Sequence, residues 1–278
     1  GPGIGDNSLG VAGMIALIWL LRERDIRLPG DIWFVATTGE EGLGNLRGMR
    51  AVVDRFEDTP LAYLALEGMA LGYIYHRALG VRRYRVRAET KGGHSWGHYG
   101  RPSAIHELAE LVTKLTALNL PKKPRTTLNV GTMQGGTSIN TIAAHASFDL
   151  DMRSESAEGL AVLVKKVDSL LKTASKPNIR VVAEEIGDRP AGEIAASHPL
   201  VEAAQEALIQ QNLEPKLTIG STDANIPLSR GYPAICLGIS TGGGAHTMDE
   251  FIRTAPAAQG LEQLLYFVEY VWTHMQGG

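Results

Sequence analysis

The chain has 278 residues, of which 44% are hydrophobic and 21% charged, with 27 basic against 30 acidic side chains. A formal charge of −3 excludes a globally basic nucleic-acid binder. The length and ordinary apolar balance indicate a folded chain of about two domains.

Residues 8–21 carry apolar side chains at helical spacing, with Asn7 or Ser8 available as N-cap. The apolar run at 11–21 is shorter than the ~20 residues of a membrane span. No basic region precedes it, as a signal sequence would need, so no membrane association is expected. Asp31-Ile32-Trp33-Phe34-Val35-Ala36 is a short continuous apolar run, which predicts a strand buried on both faces. A glycine-rich turn and a helix at about 48–56 follow, then buried strands at 61–66 and 72–76. Strand, helix, strand in that order implies a parallel sheet with crossover helices.

Near residue 80 the pattern changes. Residues 81–88 alternate, with Arg83, Arg85 and Arg87 on one face and Tyr84, Val86 and Ala88 on the other, as in a half-exposed antiparallel strand. The arginine face reads as a solvated or interface surface. A helix at 102–118, strands at 126–133 and 145–152, a helix at 157–174 and a strand at 179–185 complete a β-α-β-β-α-β order, the ferredoxin-like motif. After about residue 190 the α/β character returns. It gives a helix at 199–211, strands at 217–219 and 234–238, a short helix within 221–230 and a long amphipathic helix at 257–274. The expected architecture is α/β: a mixed, mainly parallel sheet flanked by helices (1–79 and 191–278), interrupted by an α+β domain at 80–190. The one cysteine, Cys236, lies in an apolar run and reads as a small core residue; cytoplasm is the favoured compartment.

Acids and histidines concentrate where the buried strands end: Gly5-Asp6-Asn7, Gly39-Glu40-Glu41-Gly42, Leu66-Glu67-Gly68 and the segment from Gly244 to Glu250 that contains His246. Ligands bind at the carboxyl ends of strands in open α/β sheets, so these ends can converge. Several carboxylates brought together repel unless a cation neutralises them, and an added histidine suits zinc or a similar divalent metal. Adjacent glutamates fit two jobs, one as ligand and the other as acceptor of a proton from water. Singly, each has an ordinary reading: Asp6 as a turn acid, Glu40-Glu41 as a solvated pair, Glu67 as a surface turn, His246 as a loop histidine. Their joint placement beside glycines argues for chemistry.

Five segments in order, residues 1–10, 36–42, 136–140 (Gly-Thr-Ser-Ile-Asn), 151–154 (Asp-Met-Arg-Ser) and 242–247 (Gly-Gly-Gly-Ala-His-Thr), resemble the co-catalytic zinc exopeptidase and amidohydrolase family. That family includes carboxypeptidase G, tripeptide aminopeptidase, aminoacylase, acetylornithine deacetylase and succinyl-diaminopimelate desuccinylase. The resemblance implies that Asp6 bridges two metals, Glu40 is the general base, Glu41 and His246 are ligands of the first metal, and Glu67 is a ligand of the second. It implies that the inserted domain is a lid that dimerises, with His94 of Lys91-Gly92-Gly93-His94-Ser95 reaching the partner's site to polarise the scissile carbonyl. Asn140 and Arg153 would contact substrate carboxylate or carbonyl oxygens, a task suited to arginine's planar fork.

Resemblance also implies zinc as cofactor, as one or two ions with cobalt or manganese as substitutes, and a small peptide or N-acyl amino acid as substrate. The family's upstream His-x-Asp motif has no counterpart in this sequence. The expectation is therefore a chain lacking the family's N-terminal segment, with a three-ligand first site and a weak second one. The alternative is a non-catalytic binding protein of the same fold. Glu67, where the family's aminopeptidases carry aspartate, points to a carboxypeptidase or deacylase; the motifs at 186–190 and 220–225 resemble the tripeptide aminopeptidases.

Overall fold

In the computed structural model, which describes residues 1–275, the apolar positions settle into separate cores and the backbone divides with them. One unit comprises Gly1–Ala78 and the chain from Gly192 onward; the other is Leu79–Ala191.

In chain order the elements are α1 (Gly10–Glu23), α2 (Arg47–Phe56), β1 (Tyr63–Glu67), β2 (Tyr73–Ala78), β3 (Gly80–Thr90), β4 (Gly93–His94), α3 (Ala104–Thr116), β5 (Thr126–Gly135), β6 (Thr141–Ile142), β7 (His145–Ser154), α4 (Ala157–Ala174) and β8 (Ile179–Arg189). They continue with β9 (Gly192–Glu193), α5 (Pro199–Gln210), β10 (Lys216–Gly220), α6 (Asn225–Ser229), β11 (Ala234–Gly238), β12 (Thr241–Gly243), β13 (Phe251–Arg253) and α7 (Ala257–Met275).

The first unit is built on a mixed sheet in the order β1-β11-β2-β10, with β9 beside β2. β1 runs parallel to β11 and β10 parallel to β2, while β11 and β2 are antiparallel. β11 is buried at all five positions, which is why it reads as an unbroken apolar run. Ile235 and Leu237 pack with Leu200, Leu208 and Leu264 of α5 and α7, whereas Ala234 and Cys236 pack with Val53 of α2 and Ile226 of α6.

Two expectations need correction. Residues 31–36 form no strand: among the described residues no backbone hydrogen bond joins them to another segment. An apolar run becomes a strand only where a neighbour supplies its ladder. Here Trp33 instead rests on Phe56, with ring centroids 4.9 Å apart, and beneath the Arg55 guanidinium. The apolar stretch at the start of the chain is also longer than 11–21. With the irregular turn at 4–9 it forms a 20-residue helical segment, Ile4–Glu23, of membrane-spanning length and mean hydropathy 1.6. Gly10, Gly13 and Leu17 on this segment are buried in the first unit.

The second unit has the strand order β5-β7-β3-β8, antiparallel throughout, with α3 and α4 joining its halves in the ferredoxin-like manner. On β7, Phe148, Leu150 and Met152 face the helices and alternate with Asp149, Asp151 and Arg153. Burying each of these three apolar side chains stabilises the unit by about 2 kcal/mol. The outer face is a charge ladder. Cross-strand neighbours Arg83–Asp151 and Arg85–Asp149 pair at 2.8 Å, and Arg87 pairs with Glu184 at 2.6 Å.

Candidate active site

Three loops of the first unit and the end of β1 carry the acids and the histidine. The turn at 4–9 is tied to the end of β1, because the Asn7 side-chain amide donates to the Leu66 carbonyl at 2.6 Å. The other side-chain atom of Asn7 accepts the Gly10 N–H at 3.1 Å, capping α1 as the sequence suggested. Gly68 lets these segments touch: a Cβ there would lie 1.9 Å from the Gly5 carbonyl oxygen. Asp6 and Glu67 are thereby held in adjoining segments.

Glu40 and Glu41 sit in a loop closed on itself. Leu46 N–H donates to the Gly39 carbonyl at 2.8 Å and Gly48 N–H to the Thr38 carbonyl at 2.9 Å. Gly39 has φ +80°, in the region that favours glycine. The Thr37 hydroxyl donates to Asp223 at 2.6 Å, fixing the loop to the segment before α6. His246 lies in the loop of the β12–β13 hairpin with φ +63°, an uncommon conformation for a residue with a side chain.

These loops converge. Asp6, Glu41 and His246 each present a ligand atom, all within 4.8 Å of one another. His246 Nε2 is 3.5 Å from Asp6 Oδ2, and its Nδ1 is 3.9 Å from Glu41 Oε2. Burial and the hydrogen bond and charge of Asp6, with Glu40 adding to them, push Glu41 up to about 7. Burial and the charges of Asp6, Glu40, Glu41 and Asp223 push Glu67 up to about 8. Carboxylates crowded so that Glu41 and Glu67 are pushed up toward neutral pH and beyond, with an imidazole among them, have the donor chemistry a divalent cation satisfies.

His94, Asn140 and Arg153 belong to the second unit. β4 pairs with β6, and the Ser95 N–H donates to the Asn140 carbonyl at 2.9 Å, so the His94 and Asn140 loops are neighbours. The N–H groups of Trp96 and Gly97 donate to His94 Nδ1 at 3.2 and 3.3 Å. Nδ1 is thus the acceptor nitrogen, and the neutral ring carries its proton on Nε2. His98 Nδ1 accepts the His94 N–H at 3.0 Å, which gives His98 a part in the turn. Arg153 Nε donates to Asp151 at 2.7 Å, and Asp151 also accepts from Arg83.

One residue of the site was given no role in the sequence reading. Glu250, 2% exposed, accepts backbone N–H groups from Gly3, Gly5 and Asp6. Its position four residues after His246 hints at nothing of this, because the donors come from the opposite end of the sequence.

An α/β unit with converging acids and a histidine, interrupted by a ferredoxin-like unit, has the fold and donor set that suit a metal-dependent hydrolase. Residues 78–179 match the peptidase dimerisation domain model, and residues 1–73 match the model of peptidase family M28. The uncharacterized protein YqjE of Bacillus subtilis is 25% identical over 96% of this chain and 69% of its own. Aminopeptidase PepT of Bacillus cereus superposes with a TM-score of 0.77 at 27% identity, over 96% of this chain and 71% of that one. A tripeptidase of Staphylococcus aureus superposes with a TM-score of 0.82 at 24% identity, over 98% and 72%. The chain is similar to M20 peptidases and aminohydrolases, and is a hydrolytic enzyme of the peptidase or deacylase kind. These likenesses support use of a divalent metal.

Proposed function

We propose that the protein hydrolyses an amide bond in a small peptide or N-acyl amino acid. In this reading Asp6, Glu41 and His246 hold zinc, Asp6 and Glu67 serve a second divalent ion, and Glu40 is the general base. The convergence of Asp6, Glu41 and His246 carries the reading. When bound, the cation supplies Lewis acidity, bringing the ionisation of water toward neutral pH.

The chain's own residues do the rest. Glu40, one residue from a ligand and in the same closed loop, takes a proton from the attacking water and delivers it to the leaving amine. His94 donates its Nε2–H to the developing oxyanion, a contribution of about 3 kcal/mol for one well-placed donor. The Arg153 guanidinium has five donors, of which Asp151 engages Nε and one Nη, so others remain to meet a substrate carboxylate, while Asn140, in the His94 loop, would contact a substrate carbonyl oxygen. The matched dimerisation domain supports a homodimer, through which His94 serves the partner's site. The protein is proposed to act in the cytoplasm without membrane or nucleic-acid partners.

The deciding experiment is elemental analysis of protein purified without added metal, with Asp6→Ala beside it. About one zinc per chain, lost in the variant, is expected; about two would mean that the second site is also filled. No metal, even after incubation with excess zinc, would overturn the proposal. A panel of tripeptides and N-acyl amino acids then separates peptidase from deacylase, and bound zinc with no turnover of either would favour a binding protein.

A further inference from the structure

Resting on the reading of Asp6 and His246 as ligands, we propose that Glu250 is a positioning residue that fixes these two backbones against each other before any metal binds. Its carboxylate lies at the foot of the hairpin loop that carries His246. Oε1 accepts N–H groups from Gly5 at 2.7 Å and Asp6 at 2.9 Å, and Oε2 accepts from Gly3 at 3.0 Å. Successive N–H groups converging on one anion form an anion-binding nest of the main chain.

Glu250 is also tied into the His246 loop, its N–H donating to the Thr247 carbonyl at 3.3 Å. Backbone hydrogen bonds from Asp6, Gly3 and Gly5 outweigh burial and hold Glu250 below the usual carboxylate range. One carboxylate thus ties the Asp6 backbone to the hairpin loop that carries His246. His246 needs the support, since its φ of +63° is a conformation that a residue with a side chain holds only when its surroundings impose it. The rest of the loop helps: Thr247 donates both its N–H and its hydroxyl to the Gly244 carbonyl, at 3.1 and 2.7 Å.

Only a carboxylate suits this place. Each donor needs an acceptor, and an ionised carboxylate offers about four acceptor positions and no donor. Glutamine would keep the shape but turn an NH2 group toward N–H groups, losing both an acceptor and the charge assistance. Glu250 touches neither substrate nor metal in this scheme. It acts by keeping Asp6 Oδ2 and His246 Nε2 within reach of one cation, as outer groups do in other metal sites.

The test uses the full chain and the Glu250→Gln and Glu250→Asp variants. Zinc affinity is measured by titration, the melting temperature with and without zinc, and the absorption spectrum with cobalt in place of zinc. Glu250→Gln is expected to fold, bind zinc about 10–100-fold more weakly, show a smaller zinc-induced rise in melting temperature and alter the cobalt spectrum. Glu250→Asp is expected to recover part of each. An equal fall in melting temperature with and without zinc, at unchanged affinity and spectrum, would reduce Glu250 to a fold-stabilising contact and overturn the proposal.

Should Glu250→Gln fail to fold, hydrogen exchange of the unmodified metal-free protein decides. Protected amides at Gly3, Gly5 and Asp6 support a cradle formed in advance, and exchange at open-loop rates until zinc is added overturns it. Absence of zinc binding by the unmodified protein would strike the proposed metal centre itself, whereas protection of these amides would still report on Glu250.

Discussion

Glu40 and Glu41 are neighbours in sequence, yet the reading assigns them different work. Glu40→Gln removes a proton acceptor and leaves the three proposed first-site donors in place. It is expected to retain zinc while lowering kcat about 10²–10⁴-fold, measured by steady-state kinetics beside metal analysis. Parallel loss of metal would instead make Glu40 a ligand. Cys236 offers a simpler check at this scale. Burial, with Glu67 nearby, raises its thiol well above the ordinary range. A thiol reagent at pH 8 is therefore expected to leave the folded protein unlabelled and to count one equivalent after unfolding, matching the single cysteine. The tautomer of His94 was not legible from residue types, since the N–H groups of Trp96 and Gly97 set it only once the turn has formed.

The elements that the sequence marked most strongly are those whose burial one helix or strand dictates. α4 spans residues 157–174 as its apolar spacing predicts, and Ser156 caps it by accepting the Gly159 N–H. Residues 31–36 misled because apolarity reports burial but not a hydrogen-bonding neighbour. Gly68 is the glycine that matters at this scale, because β1 and the Asp6 turn approach through it. Gly68→Ala would drive a Cβ to 1.9 Å from the Gly5 carbonyl oxygen, so backbone must move. A loss of about 2–4 kcal/mol in urea unfolding is expected, accompanied by weaker zinc binding. Phe148→Ala, which opens a cavity in the core between β7 and the helices, is expected to cost about 3–5 kcal/mol in the second unit.

At the scale of the whole molecule, two units with their own cores are expected to unfold in separable steps. Acid distinguishes the second of them. The Arg85 hydrogen bonds hold Asp149 below the usual carboxylate range. Burial pushes Asp151 up, but hydrogen bonds from Arg153 and Arg83 outweigh it and leave that carboxyl low as well. Groups depressed in the folded state contribute stability that is full above the unfolded carboxylate range, about pH 4, and is lost as pH falls through their lower folded values. Asp151→Asn is thus expected to weaken the second unit by about 1 kcal/mol at pH 7, the partial exposure of the pair keeping the figure small. It is also expected to flatten the unit's acid unfolding, followed by circular dichroism between pH 5 and pH 2.

By itself the sequence indicated the longer helices and strands outside 31–36, a change of character near residues 80 and 190, and Asp6, Glu41 and His246 among the candidate ligands. These rest on local signals: apolar periodicity, caps, and glycines beside strand ends. Tertiary structure decided what those signals leave open. It brought Asp6, Glu41 and His246 within 4.8 Å of one another, denied residues 31–36 a strand and gave Glu250 its cradle of main-chain donors. Each of these depends on which distant segment comes to lie beside which, and a carboxylate or an apolar run has no preference of its own until that neighbour arrives.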